Sequence, residues 1–126
     1  MSGDSEKPRG GPTQALDAMS AAPEHHSVLM ENDRVRILDT RLGPGEQTPV
    51  HTHEWAGALY VLSWSDFVRR DASGAIVADS RTMAATPKPG EALWLPPLPP
   101  HQVENVGDSD LHIIAVELKQ ASLSKA

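Results

Sequence analysis

Gly45-Glu46-Gln47-Thr48-Pro49-Val50-His51-Thr52-His53 is answered later in the chain by Gly90-Glu91-Ala92-Leu93-Trp94-Leu95-Pro96-Pro97-Leu98-Pro99-Pro100-His101-Gln102-Val103-Glu104-Asn105. Alternate side chains of a strand share a face, so His51 and His53 stand side by side, roughly 6 to 7 Å apart along the backbone. Two imidazoles so placed can converge on one cation, and His101 is the natural third donor. Neutral imidazole nitrogen suits first-row divalent metals, at ~2.0 to 2.1 Å for zinc. The metal-ligand candidates are therefore His51, His53 and His101. A surface His-x-His also arises by chance, and it is the surrounding pattern that gives the pair its weight.

Outward from these segments, short runs of strand-forming residues alternate with turn residues. Strands are expected at 27–30, 34–42, 48–53, 56–63, 67–70, 76–79, 92–95, 102–105 and 111–119. Asn32-Asp33, Gly43-Pro44-Gly45, Asp71-Ala72-Ser73-Gly74, Pro87-Lys88-Pro89-Gly90 and Gly107-Asp108 supply turns between them. The one segment with some helical character is Thr13 to Ala21. This pattern predicts an all-β barrel or sandwich.

The two histidine segments resemble the paired motifs of the cupins. The first cupin motif is a glycine, five residues, His-x-His, three or four residues, a glutamate, six residues and a glycine. The second is a glycine, five residues, Pro-x-Gly, two residues, His, three residues and Asn. Gly45, His51 and His53 match the first, and Gly90, Pro96, His101 and Asn105 match the second. The departures are Gly57 and Ala58 where the glutamate ligand stands, Trp64 or Ser65 at the closing glycine, and Leu98 in the second motif. The resemblance implies a jelly-roll β-barrel, a divalent transition metal on His51, His53 and His101, and single-domain chains that pair as homodimers. It covers residues 26–119, with 1–25 read as a flexible leader and 120–126 as a tail.

Other residues have plainer readings. His25 and His26 precede the first strand and read as solvated or strand-edge residues. His112 shares a strand face with Ile114, Val116 and Leu118, which reads as the buried face. A satisfied core histidine is the favoured role, with a place in or behind the metal site as the alternative. Glu54, next to His53, points to the opposite face of a regular strand, and only a bulge would bring it in. Asn105 reads as a structural residue that bonds a nearby turn. Arg34 and Arg36 share one face of a strand, and since a buried arginine needs a carboxylate, Glu117 is a candidate partner for them, in a structural part or in orienting an anionic substrate. Trp55, Tyr60, Trp64 and Trp94 read as core or interface before pocket.

Length and charge bound the function. At 126 residues the chain suits one domain. Eleven basic against 17 acidic residues give a net charge of -6, which argues against nucleic-acid or anionic-membrane partners. The absence of cysteine removes disulfides, thiolate metal sites and a cysteine nucleophile. With no apolar signal-type segment at the start, the expectation is a cytoplasmic protein acting on a small molecule. Cupins with three-histidine sites include oxygenases that hold iron(II), so the resemblance favours an Fe(II) dioxygenase acting on a small chelating compound. Zinc, manganese, nickel or copper would instead support lyase or isomerase chemistry. A non-catalytic, ligand-binding or sensory cupin is the alternative from another class, and a decayed site is a third.

Overall fold

The computed structural model describes residues 16–119. A short helix, α1 (Ala18–Ala21), precedes nine strands: β1 (His26–Glu31), β2 (Val35–Leu42), β3 (His51–His53), β4 (Gly57–Ser63), β5 (Phe67–Asp71), β6 (Ile76–Asp79), β7 (Ala92–Leu95), β8 (Leu98–Asn105) and β9 (Leu111–Leu118). They form two antiparallel sheets, ordered β1-β2-β9-β4-β7 and β3-β8-β5-β6. Each expected strand is present, and the two sheets make the double-stranded β-helix of a cupin. Among the described residues no helix is long and apolar enough to cross a membrane.

Turn chemistry sets the strand ends. Gly45 and Gly90, which open the two motifs, have φ of 79° and 91°, a left-handed backbone that costs glycine little and other residues much. Asn32 Oδ1 accepts from the amides of Arg34 and Val35 at 2.8 and 2.9 Å, closing the β1–β2 turn. Asn105 uses all its capacity: its Nδ2 donates to the Leu42 and Ser109 carbonyls, and its Oδ1 accepts from Ser65 Oγ and the Gly107 amide. This is the structural part its sequence position suggested.

The clearest difference among the strands is at β8, which begins at Leu98 and runs through Pro99 and Pro100. Its pairing with β5 covers only His101 to Asn105, so the prolines occupy a stretch where no donor is required on that side.

The leader expected at 1–25 divides. Residues 1–15 and the tail 120–126 lie outside the described residues. Residues 16–25, in contrast, are built into the barrel. The Thr52 amide donates to the Leu16 carbonyl at 2.6 Å, and Asp17 bridges Thr52 in parallel register. Asp17 also caps α1 by accepting from the Met19 amide, and Ala18 and Ala22 are fully buried. Small alanines pack closely here, and Asp17 has a cation to meet inside. The folded unit therefore starts before His26.

β9 presents its faces in the opposite sense to that expected. Leu111, Ala115 and Glu117 point inward, while His112 lies on the outer face with its Nε2 2.9 Å from Asp39 Oδ1 of β2. His112 is therefore not a core histidine. The inversion follows from Glu117, which is 1% exposed because two inward-facing partners, Arg36 and His53, satisfy it.

Candidate metal centre

Ladder register brings the motif histidines together. His51 of β3 faces His101 of β8, and an irregularity between His51 and His53 shifts the pairing so that His53 faces Leu98. Directly opposed residues on one face come within about 5.5 Å at Cβ. The rings of His51 and His101 accordingly lie 4.4 Å apart between centroids, and those of His53 and His101 5.7 Å.

A fourth histidine joins them. His26, at the start of β1, is the only buried residue of that strand, and its ring sits 5.0 Å from His51 and 5.3 Å from His53. One nitrogen each from His26, His51 and His53 falls within a 4.8 Å spread. A shift of under about 1 Å per ring closes that spread to the ~3.4 Å expected of donors around one tetrahedral ion. The reading of His26 as a solvated or edge residue is corrected: it is 4% exposed and belongs to the cluster. His101, the third ligand expected from the motifs, lies beside that three-residue group and not within it, and neither Glu54 nor His112 belongs to it.

Each ring is held by an acceptor at Nδ1. His26 faces the Ala22 carbonyl at 3.0 Å, His51 the Pro49 carbonyl at 2.8 Å, and His101 the Pro99 carbonyl at 2.7 Å. His53 faces Glu117 Oε2 at 2.8 Å. A carbonyl or carboxylate oxygen can only accept, so each Nδ1 carries the proton. In the neutral rings the Nε2 lone pairs are left free, which is the arrangement found behind metal-bound histidines. Burial pushes His26 and His101 down to about 3 and His51 down to about 4, so these rings are neutral at pH 7. Neutral, oriented imidazoles fit a divalent transition metal.

The glutamate expected by the cupin motif is absent for a steric reason. A Cβ at Gly57 would stand 1.8 Å from the Val116 carbonyl oxygen, because β4 lies tight against β9. No side chain fits at Gly57. A carboxylate arrives nevertheless from the residue paired with Gly57 in the ladder, Glu117. It sits behind His53 and also accepts from Arg36 Nε at 2.7 Å. Arg36 in turn makes a two-pronged pair with Asp17, at 2.8 and 2.9 Å. Burial alone would raise the Asp17 carboxyl, but Arg36 holds it below the usual carboxylate range. Trp55 covers this network, with the Arg36 guanidinium 5.1 Å from its ring centroid. The sequence offered Glu117 as a partner for Arg34 and Arg36 together, and the structure gives it to Arg36; the part Asp17 and Glu117 play behind the histidines was not legible.

Beside the histidines opens a cavity of about 260 Å³, walled mainly by apolar side chains such as Leu59, Leu93, Leu95, Val103 and Ile113. Trp64 lines it and Trp94, though exposed, borders it, whereas Trp55 is core and Tyr60 is exposed away from it.

No protein-family model matches the chain, and no curated protein sequence matches it. Solved structures do. A cupin domain from Bordetella pertussis Tohama I superposes with a TM-score of 0.60 at 20% identity, covering 75% of this chain and 91% of that one. An RmlC-like cupin with a double-stranded β-helix fold from Methanocaldococcus jannaschii gives 0.52 at 17% identity, over 96% and 94%. A polyketide cyclase from Streptomyces resistomycificus gives 0.51 at 21% identity, over 90% and 78%. At these identities the likeness establishes the fold. The chain has the cupin fold, with buried histidines gathered in its barrel.

Proposed function

We propose that this chain is a metal-binding small cupin that acts as a dioxygenase on a small chelating molecule. One observation carries the reading: three buried imidazoles, His26, His51 and His53, bring one nitrogen each within 4.8 Å of one another beside an apolar cavity, with the His101 ring 4.4 Å from that of His51 and each Nδ1 engaged by an oxygen. His51, His53 and His101 are the proposed ligands from the two motifs, and His26 is added as the donor that stands in for the missing glutamate.

Iron(II) bound there would supply activation of dioxygen for oxidation of a chelating substrate, whereas zinc, manganese, nickel or copper would supply Lewis-acid chemistry of the lyase or isomerase kind. The protein's own contributions are physical. The carbonyls of Ala22, Pro49 and Pro99 fix three ring tautomers, Glu117 fixes the fourth, and the apolar wall excludes water from the reacting end. The fold does not choose among these reactions, since one architecture carries many chemistries.

The test is metal content per chain by plasma mass spectrometry, on protein purified without chelator, followed by oxygen uptake with chelating substrates. Near-stoichiometric iron and substrate-dependent oxygen consumption are expected. Alanine at His51, His53, His101 or His26 should deplete the metal, while His112→Ala should retain it. Failure of the wild-type protein to take up any of these dications on reconstitution refutes the metal reading. Metal-loaded protein that binds ligand saturably without turnover would instead support a binding or sensory role.

A further inference from the structure

Two N–H donors in the cavity wall have no acceptor. Arg69 Nε and Trp64 Nε1 are buried, both residues line the cavity, and neither atom makes a hydrogen bond among the described residues. The third such atom, Thr52 Oγ1, belongs to a residue outside the cavity lining. Buried donors are nearly always satisfied, and an exception calls for a bound partner such as water, an ion or a ligand.

Phe67 ties the two together. Its ring meets that of Trp64 in a T-shaped contact with centroids 5.6 Å apart, and the Arg69 guanidinium lies 5.6 Å from the Phe67 centroid. The molecule contains its own control for what a buried arginine ordinarily has. Arg36 is met by two carboxylates through three hydrogen bonds, and even the half-buried Arg70, next in the chain, pairs with Glu104 at 2.9 Å. Arg69 has no carboxylate partner among the described residues. A guanidinium stays charged in proteins, so the half-buried Arg69 brings a cation without a carboxylate partner among the described residues to the wall of a largely apolar cavity, with its Nε–H buried and unpaired.

We propose that Arg69 and Trp64 form the anion-recognising end of the substrate cavity, and that the substrate is a small, largely apolar molecule bearing a carboxylate or an enolate oxygen. The inference rests on the cavity being the substrate site, as proposed above. The charged oxygen meets the Arg69 guanidinium and accepts from the Trp64 indole N–H, while the apolar body lies against the leucines. A cavity of about 260 Å³ limits the occupant to a small ligand.

Isothermal titration tests this with benzoate, phenylacetate and hexanoate, each compared with its primary amide, on metal-free and Zn(II)-loaded protein. At least one acid is expected to bind about ten-fold or more tightly than its amide, as a charge-assisted hydrogen bond to a half-buried guanidinium in an apolar wall requires. Arg69→Met should reduce that preference to within roughly two-fold without lowering metal content, Arg69→Lys should keep part of it, and Trp64→Phe should weaken the acid several-fold. If Arg69→Met fails to fold, the lysine and phenylalanine variants decide. Equal binding of acid and amide, a preference that survives Arg69→Met, or no binding of any probe at millimolar concentration overturns the proposal. Protein that takes up no metal yet prefers the acid refutes the metal reading and leaves this one standing. Protein that loads metal without any preference does the reverse.

Discussion

Replacing Glu117 by Gln removes one charge and almost no volume, yet it should weaken both the fold and the metal site. The carboxylate is 1% exposed and accepts from two donors at once, Arg36 Nε at 2.7 Å and His53 Nδ1 at 2.8 Å. An amide offers one accepting oxygen and a donating NH2, so it can satisfy only one of them. With the oxygen toward Arg36, the NH2 faces His53 and favours the tautomer whose proton sits on Nε2, blocking the nitrogen that faces the other histidines. With the oxygen toward His53, a donor is forced against the Arg36 Nε–H. Losing a charge-assisted buried bond costs about 1.5 to 3 kcal/mol. Asp17 keeps both its bonds to Arg36, so the loss should fall within that range and not reach the ~3 to 5 kcal/mol of a fully orphaned buried charge. Loss of the acceptor behind a ligating histidine typically weakens metal binding about 10- to 100-fold. Urea unfolding of metal-free protein measures the first quantity, and zinc competition against a chromogenic chelator measures the second. A stability change below about 0.5 kcal/mol together with a zinc affinity within about two-fold of wild type would refute the argument.

Acid should destabilise the metal-free protein in a defined window. His26, His51 and His101 titrate at about 3, 4 and 3 when folded against 6.5 in the unfolded chain, so below pH 6.5 the unfolded state binds more protons. Stability should be level above pH 7.5 and fall from 6.5 toward 4, by up to about 4 kcal/mol per pH unit if all three act independently, and a flat unfolding free energy from pH 7.5 to 5 contradicts this. Gly57→Ala places a methyl group against the Val116 carbonyl oxygen, so it should cost about 3 kcal/mol or more in urea unfolding, and a cost under about 1 kcal/mol would mean that β4 and β9 can separate freely. We also propose that two copies pair through β1, an outer strand of its sheet, where Val28, Leu29 and Met30 are 41%, 56% and 44% exposed. Light scattering should find a dimer for wild type and a monomer for Leu29→Lys, and a monomeric wild type at micromolar concentration removes the idea.

The strands could be read from the sequence because alternation and turn residues are local properties, and each of the nine answers to a run of residues that carries its own signal. The motif spacing likewise located His51, His53 and His101 on facing strands. His26 could not be found that way. It precedes an exposed strand, and its neighbours in the cluster are made by sheet topology, not by sequence proximity. The one local signal available was that, in a chain whose strands converge on a His-x-His, a histidine opening an outer strand can face the barrel. Asp17 was hidden by composition, since an alanine-rich segment near the chain start resembles a leader until its carboxylate is seen to meet Arg36. The faces of β9 escape a local reading for a related cause, the buried partners of a charged residue. Parity rules send charges outward, but two buried partners reverse the preference for Glu117 and carry His112 to the outside with it.

The same network changes the electrostatic reading of the lost glutamate. From sequence, Gly57 leaves a dication facing only neutral imidazoles. In the folded chain, Asp17, Arg36 and Glu117 form a buried group of two carboxylates and one guanidinium, with a net charge of -1, and that charge ends on His53. The negative charge is therefore displaced one hydrogen bond away from the nitrogen donors, not deleted. A carboxylate behind an imidazole orients the ring and holds its proton on the near nitrogen, as Glu117 does for His53. It also leaves the position that a glutamate ligand would take to His26, or to an oxygen of an incoming anion. Charge compensation and an open ligand position, which compete when one glutamate serves both needs, are here assigned to different residues.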